Sequence, residues 1–150
     1  MMYKKYSEYY SPENSGSVAG TSLKKKVLLV EDDEFCAFTV LKLMKNDFDI
    51  VHKFSGLEGI KEAKTNKYDL LLLDIGLKDI NGIEVLKAIK GLPQYRDIPS
   101  IAVTAFAMLG DKERFLNSGF SYYIAKPYIV NDFRQLIYDA LENNDNPIQV

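Results

Sequence analysis

Cysteine is almost absent: Cys36 is the single one in 150 residues, which rules out an internal disulfide and any multi-cysteine metal site. Long apolar runs are missing as well, and none approaches the roughly 20 residues that a bilayer-crossing helix needs. The N-terminal run Met1-Met2-Tyr3-Lys4-Lys5-Tyr6 has lysines with no apolar stretch behind them, so it is not a secretory signal. Neither charge dominates. A formal net charge of −2 offers no basic surface for nucleic acid, and the densest basic run, Lys24-Lys25-Lys26, reads as a solvated lead-in to a strand. No internal repeat is visible. The expectation is a cytoplasmic protein with no membrane and no nucleic-acid partner.

What is present is ordinary in bulk. Hydrophobic residues make up 47% and charged residues 27%, and 150 residues suit one domain with a real core. Residues 1–22 differ in composition, with Tyr3, Tyr6, Tyr9 and Tyr10 set among Ser, Glu, Gly and Asn. That composition predicts a flexible tail. The domain is then expected over 23–143, with a second short tail over 144–150.

Four short apolar runs each stop at a different polar residue. Val27-Leu28-Leu29-Val30 runs into Glu31-Asp32-Asp33, Leu70-Leu71-Leu72-Leu73 into Asp74, Ile101-Ala102-Val103 into Thr104, and Tyr123-Ile124-Ala125 into Lys126-Pro127. Such runs, separated by helix-patterned stretches, read as strands of a buried parallel sheet. A further short strand is expected at Ile50–Phe54, and the third strand at Tyr68–Leu73. Helices are expected at Phe35–Lys45, with Cys36 as a small buried hydrophobe, and at Leu57–Lys64. The stripe Ile83, Leu86 and Ile89 marks a third helix, ending near Gly91 because Pro93 cannot continue it. Asp111–Ser118 stops at Gly119, and Val130, Phe133, Ile137, Ala140 and Leu141 line the last helix. Strict alternation of five strands and five helices gives a doubly wound α/β fold with a parallel sheet. In the order 2-1-3-4-5, strands one and three lie side by side and bring Glu31, Asp32 and Asp74 together.

Carboxylates so close repel one another, and without a partner at least one pKa must rise. A hard divalent cation removes the conflict, and Mg²⁺ takes one or two carboxylates plus phosphate oxygens and water. In isolation, Asp32, Asp33 and Glu34 could simply suit a helix's first turn. Asp74, at the mouth of the crevice, can act as a nucleophile that forms an acyl phosphate. Lys126 supplies a mobile point charge and Thr104 a hydroxyl for phosphoryl oxygens. Pro127 directly after Lys126 is consistent with a cis peptide.

These runs, together with Leu73-Asp74-Ile75-Gly76-Leu77, Asn81-Gly82 and Val103-Thr104-Ala105, resemble the receiver domain of two-component response regulators over about residues 24–143. The resemblance implies the flavodoxin-like order 2-1-3-4-5 and a phosphorelay role. It implies that Asp74 accepts a phosphoryl group, that Mg²⁺ (or Mn²⁺) sits on Glu31, Asp32, Asp74 and the Gly76 carbonyl, and that Thr104 and Lys126 hold the phosphoryl oxygens. Tyr123 matches the switching aromatic, and Ala105 a small residue that admits the donor. Gly76 and Phe106 stand where side chains could align a hydrolytic water; neither can, so a long-lived phosphorylated state is expected. The family usually has proline where Lys78 stands, and its loss is expected to loosen the loop.

The donor is expected to be a histidine kinase or histidine phosphotransfer protein, because the lone His52 falls in a short strand as a plain edge residue. A downstream protein is expected on the face of helix 4, strand 5 and helix 5. The chain resembles a single-domain regulator, with a receiver module of a hybrid histidine kinase as the alternative, and a switch rather than a turnover enzyme. A small Mg²⁺-dependent aspartyl-phosphate phosphohydrolase of the haloacid dehalogenase type would need a second acid where Gly76 stands. A flavin mononucleotide binder would need a phosphate-cradling loop where Glu31-Asp32-Asp33 stand. A degenerate receiver kept as a scaffold would lack part of the site, and nothing is missing.

Overall fold

The computed structural model describes residues 24–105 and 108–143. The two expected tails and Phe106 lie outside these residues. Five strands, β1 (Lys26–Val30), β2 (Asp49–Lys53), β3 (Leu70–Asp74), β4 (Ser100–Thr104) and β5 (Tyr122–Ala125), form one sheet in the order β2-β1-β3-β4-β5. Every neighbouring pair is parallel. Four α-helices fill the crossovers, α1 (Glu34–Met44), α2 (Gly56–Thr65), α3 (Gly82–Lys90) and α4 (Asp111–Asn117), and a fifth, α5 (Val130–Glu142), follows β5. The doubly wound expectation holds.

Strand alternation sorts the core into two halves. Val27, Leu29, Leu70 and Leu72 point to the side of α1 and α5, where they meet Val40, Met44, Phe133 and Ile137. Leu28, Val30, Leu71 and Leu73 point to the other side, against Ala63, Val85, Leu86, Ile89 and Phe115. All four leucines of β3 are fully buried, each adding about 1.5–3 kcal/mol of hydrophobic stabilisation. A strand covered on both faces cannot alternate with polar residues, which is why this one reads as a solid apolar run.

Several boundaries differ from the sequence expectation. β2 starts at Asp49 and ends before Phe54, because Asp49 pairs with Lys26 and its N–H reaches the Lys25 carbonyl at 3.0 Å. Phe54 falls past the ladder and is half exposed. The third strand begins at Leu70, while Tyr68 remains buried and donates its hydroxyl to Glu62 at 2.5 Å. Pro93–Tyr95 adds a short 3-10 turn after α3. Cys36 is only half-buried, since the inward stripe of α1 runs through Ala37, Val40 and Met44. α4 ends as expected: Gly119 takes φ +106, a left-handed conformation that favours glycine.

One close approach bears on the site. A Cβ at Gly82 would lie 2.2 Å from the Asp74 carbonyl oxygen and 2.8 Å from the Ile75 Cα. Both are backbone atoms at the end of β3, so they cannot swing aside. Gly82→Ala is therefore expected to destabilise the protein by about 1–3 kcal/mol, seen as a lower urea midpoint. An unchanged midpoint would show that the approach is not tight.

Candidate functional site at the C-terminal edge of the sheet

Val30 pairs with Leu73 and Asp74 with Val103, so the residues that leave β1 and β3 gather at one edge. Glu31, Asp32 and Asp74 each bring a carboxylate oxygen within 4.8 Å of the other two. The four acids from Glu31 to Glu34 divide their work. Glu31 is buried and turns to the crevice. Asp32 precedes the helix and accepts the Lys78 N–H at 3.0 Å. Asp33 is the N-cap of α1, its Oδ1 accepting the Cys36 N–H at 2.8 Å, and Glu34 opens the helix where an acid suits the dipole.

The buried acids are held by few donors. Glu31 Oε1 accepts the Asp33 N–H at 3.1 Å, and its Oε2 lies 2.6 Å from the Lys126 ammonium. Asp74 Oδ1 accepts the Gly76 N–H at 3.0 Å, and its Oδ2 lies 3.5 Å from the same ammonium. Burial pushes the Glu31 carboxyl up to about 7; Lys126 pulls against this, and the charge of Asp74 adds to it. Burial alone would lower Lys126, but its hydrogen bond to Glu31 and the charge of Asp74 hold it up at about 12. The rise that crowding predicts is present, with burial rather than repulsion as its larger cause.

With their protons off, three carboxylates against one ammonium leave negative charge in excess. That surplus, with oxygen-only donors of this kind, suits a hard divalent cation. The residues fit such an ion.

The remaining candidates sit around this centre. Thr104 is buried at the end of β4, level with Ala125, and its carbonyl accepts the Lys126 N–H at 2.7 Å. The Lys126–Pro127 peptide is cis. Gly76 and Ala105 are exposed at the mouth. Tyr123 pairs with Ala102, so it lies two residues short of the strand level of Thr104 and on the same face. It is half-buried beside Phe115, with ring centroids 6.2 Å apart.

Three contacts at this edge had no counterpart in the sequence expectation. His52 on the edge strand is tied to the site, its Nε2 2.7 Å from the Glu31 carbonyl oxygen. Asp79 accepts the N–H groups of Gly56 and Leu57, each at 2.9 Å, and so fastens the loop after β3 to the start of α2. Burial works against this charge, yet the two N–H groups hold the Asp79 carboxyl below its usual range. With the Lys78 N–H on Asp32, the loop that the missing proline was expected to loosen is pinned at two successive residues.

A parallel doubly wound sheet with an acidic cluster that could hold a divalent cation at its switch point defines the class. Comparison with known proteins gives the family: residues 27–138 match the response regulator receiver domain, and the chain belongs to it. It is a phosphorelay receiver. It is 40% identical over 120 residues to the polar-differentiation response regulator DivK of Brucella ovis, covering 79% of this chain and 98% of that protein. A CheY-like receiver domain protein of Methanospirillum hungatei superposes with TM-score 0.75 at 26% identity, over 81% of this chain and 97% of that one. The receiver domain of a Pseudomonas aeruginosa sensor histidine kinase superposes with TM-score 0.73 at 25% identity, over 79% and 98%; its structure has a magnesium ion coordinated in the active-site cleft. Among the described residues no helix is long and apolar enough to cross a membrane.

Replacing Lys126 with Met leaves Glu31 and Asp74 facing each other without their shared ammonium. In metal-free buffer the loss is expected to be about 3 kcal/mol, at the low end for breaking a buried pair because Glu31 can take up a proton instead. Mg²⁺ should then raise the melting temperature of the variant more than that of the unaltered protein. An equal or smaller rise would show that ammonium and cation do not serve the same charges.

Proposed function

We propose that Asp74 is the phosphoryl acceptor of this receiver, within a unit spanning residues 23–143 and working in the cytoplasm. The observation that carries this is the placement of its carboxylate against the acid pair from β1 and 3.5 Å from the Lys126 ammonium, at the end of a fully buried strand. The donor is a phosphohistidine of a kinase or phosphotransfer protein. An Asp74 carboxylate oxygen forms the new bond to phosphorus, the phosphorus–nitrogen bond breaks, and the imidazole leaves and takes a proton from solvent. A divalent cation, Mg²⁺ or Mn²⁺, on Glu31, Asp32, Asp74 and the Gly76 carbonyl would offset the charge on the incoming phosphoryl oxygens.

Lys126 meets the phosphoryl oxygens from the opposite side, and Thr104 donates its hydroxyl to one of them. The product adds roughly two negative charges at Asp74. Thr104 drawn toward that charge vacates space on the face it shares with Tyr123, whose ring then turns inward. The surface of α4, β5 and α5 changes with it, and a downstream protein that prefers one arrangement shifts the balance. The chain acts as a switch that is loaded and unloaded, not as a turnover enzyme.

Incubation with acetyl phosphate and Mg²⁺, followed by intact mass, tests the acceptor. The unaltered chain should gain one phosphoryl group, and Asp74→Asn should gain none while keeping its melting behaviour, since Lys126 retains Glu31. Full incorporation in that variant refutes the site.

Lifetime follows from the neighbours of Asp74. Gly76 has no side chain to align a water, and a Cβ added there would meet only Asp74 Oδ1, at 3.9 Å. Gly76→Asn thus has room for its side chain and should speed phosphate loss several-fold, more so together with Phe106→Glu. Unchanged decay in the double variant defeats this account of a long-lived state.

A further inference from the structure

We propose that the main-chain N–H of Lys78 is a positioning group for the cation site: it fixes the Asp32 carboxylate so that its other oxygen faces the ion. The proposal rests on the reading of Glu31, Asp32 and Asp74 as that site. Among the three acids, Asp32 alone is not held by Lys126. It is also the most exposed of them, since Glu31 and Asp74 are buried. Among the described residues its side chain has one hydrogen bond, from Lys78 N to Oδ2 at 3.0 Å. Without it, an aspartate at this edge would turn freely through its rotamers and would lose that freedom only on binding the ion.

The donor itself is held in place. Asp79, the next residue, is clamped to the N–H groups of Gly56 and Leu57, and the Gly82 N–H closes the loop on the Ile75 carbonyl at 3.0 Å. The Lys78 N–H is therefore presented by a loop tied at both ends. Proline, which the family usually carries here, has no N–H and cannot make this bond. A bond to a carboxylate is charge-assisted, and orienting partners of this kind commonly change metal affinity about 10–100-fold.

Lys78→Pro and Lys78→Ala both remove the side-chain charge, and they differ in the N–H. Mg²⁺ and Ca²⁺ are titrated separately against each variant and the unaltered chain, followed by amide chemical shifts without any phosphodonor. Relative to Lys78→Ala, Lys78→Pro should bind Mg²⁺ about tenfold more weakly. Ca²⁺ should change less, since it tolerates irregular ligand geometry where Mg²⁺ demands a near-ideal octahedron. Equal Mg²⁺ affinity in the two variants overturns the proposal. Equal losses for both cations overturn it too, because the ring would then have disturbed the loop and not one carboxylate. Failure of the unaltered chain to bind Mg²⁺ overturns the cation reading itself, and the proposal with it.

Discussion

A single ammonium lets two buried carboxylates share one crevice. Lys126 lies 2.6 Å from Glu31 and 3.5 Å from Asp74, and both acids are almost fully buried. Desolvation alone would drive such groups to take up protons. The Glu31 carboxyl, at about 7, shows how near the balance lies. The arrangement is complete enough to fold and still carries excess negative charge. Small changes in charge at such a crowded site therefore alter which contacts are favoured.

That crowding is tolerable because the surrounding frame is not loose. β3 is buried along its whole length, and β1 and β4 flank it in register. Gly82 brings the start of α3 against the backbone of Asp74 and Ile75, so the main chain at Asp74 has no room to drift. Asp79 and Lys78 then fasten the loop beyond it to α2 and to Asp32. Around Tyr123 on β5 the packing is looser, since its ring is only half-buried beside Phe115 of α4.

The strands and the gathering of Glu31, Asp32 and Asp74 were legible because both follow from short-range pattern plus one rule of topology. An apolar run such as Leu70-Leu71-Leu72-Leu73 can be read directly, and parallel strands must deliver their last residues to a common edge. The limits of β2 were not legible, since Ile50 to Phe54 is the more apolar window, with Phe54 in place of Asp49, and only pairing with Lys26 selects Asp49 to Lys53. Cys36 was misplaced for a similar reason: α1 is apolar on several sides, with Phe35 and Phe38 exposed, so periodicity could not pick the inward stripe. The Asp79 clamp joins residues 23 positions apart through backbone donors, and no side-chain pattern announces a backbone donor.

Lys78 shows how a departure from a family pattern can mislead when it is judged by stiffness alone. Proline restrains a loop by fixing one dihedral angle, and its loss frees that angle. The same exchange restores an N–H, and here that N–H lands on a carboxylate 46 residues upstream. One restraint is local and the other ties two loops across the crevice. Fixing the angle would act on the loop alone, whereas the hydrogen bond also acts on Asp32. A substitution that reads as a loss along the chain is thus a gain across the site, because it moves the restraint onto a carboxylate of the acidic cluster.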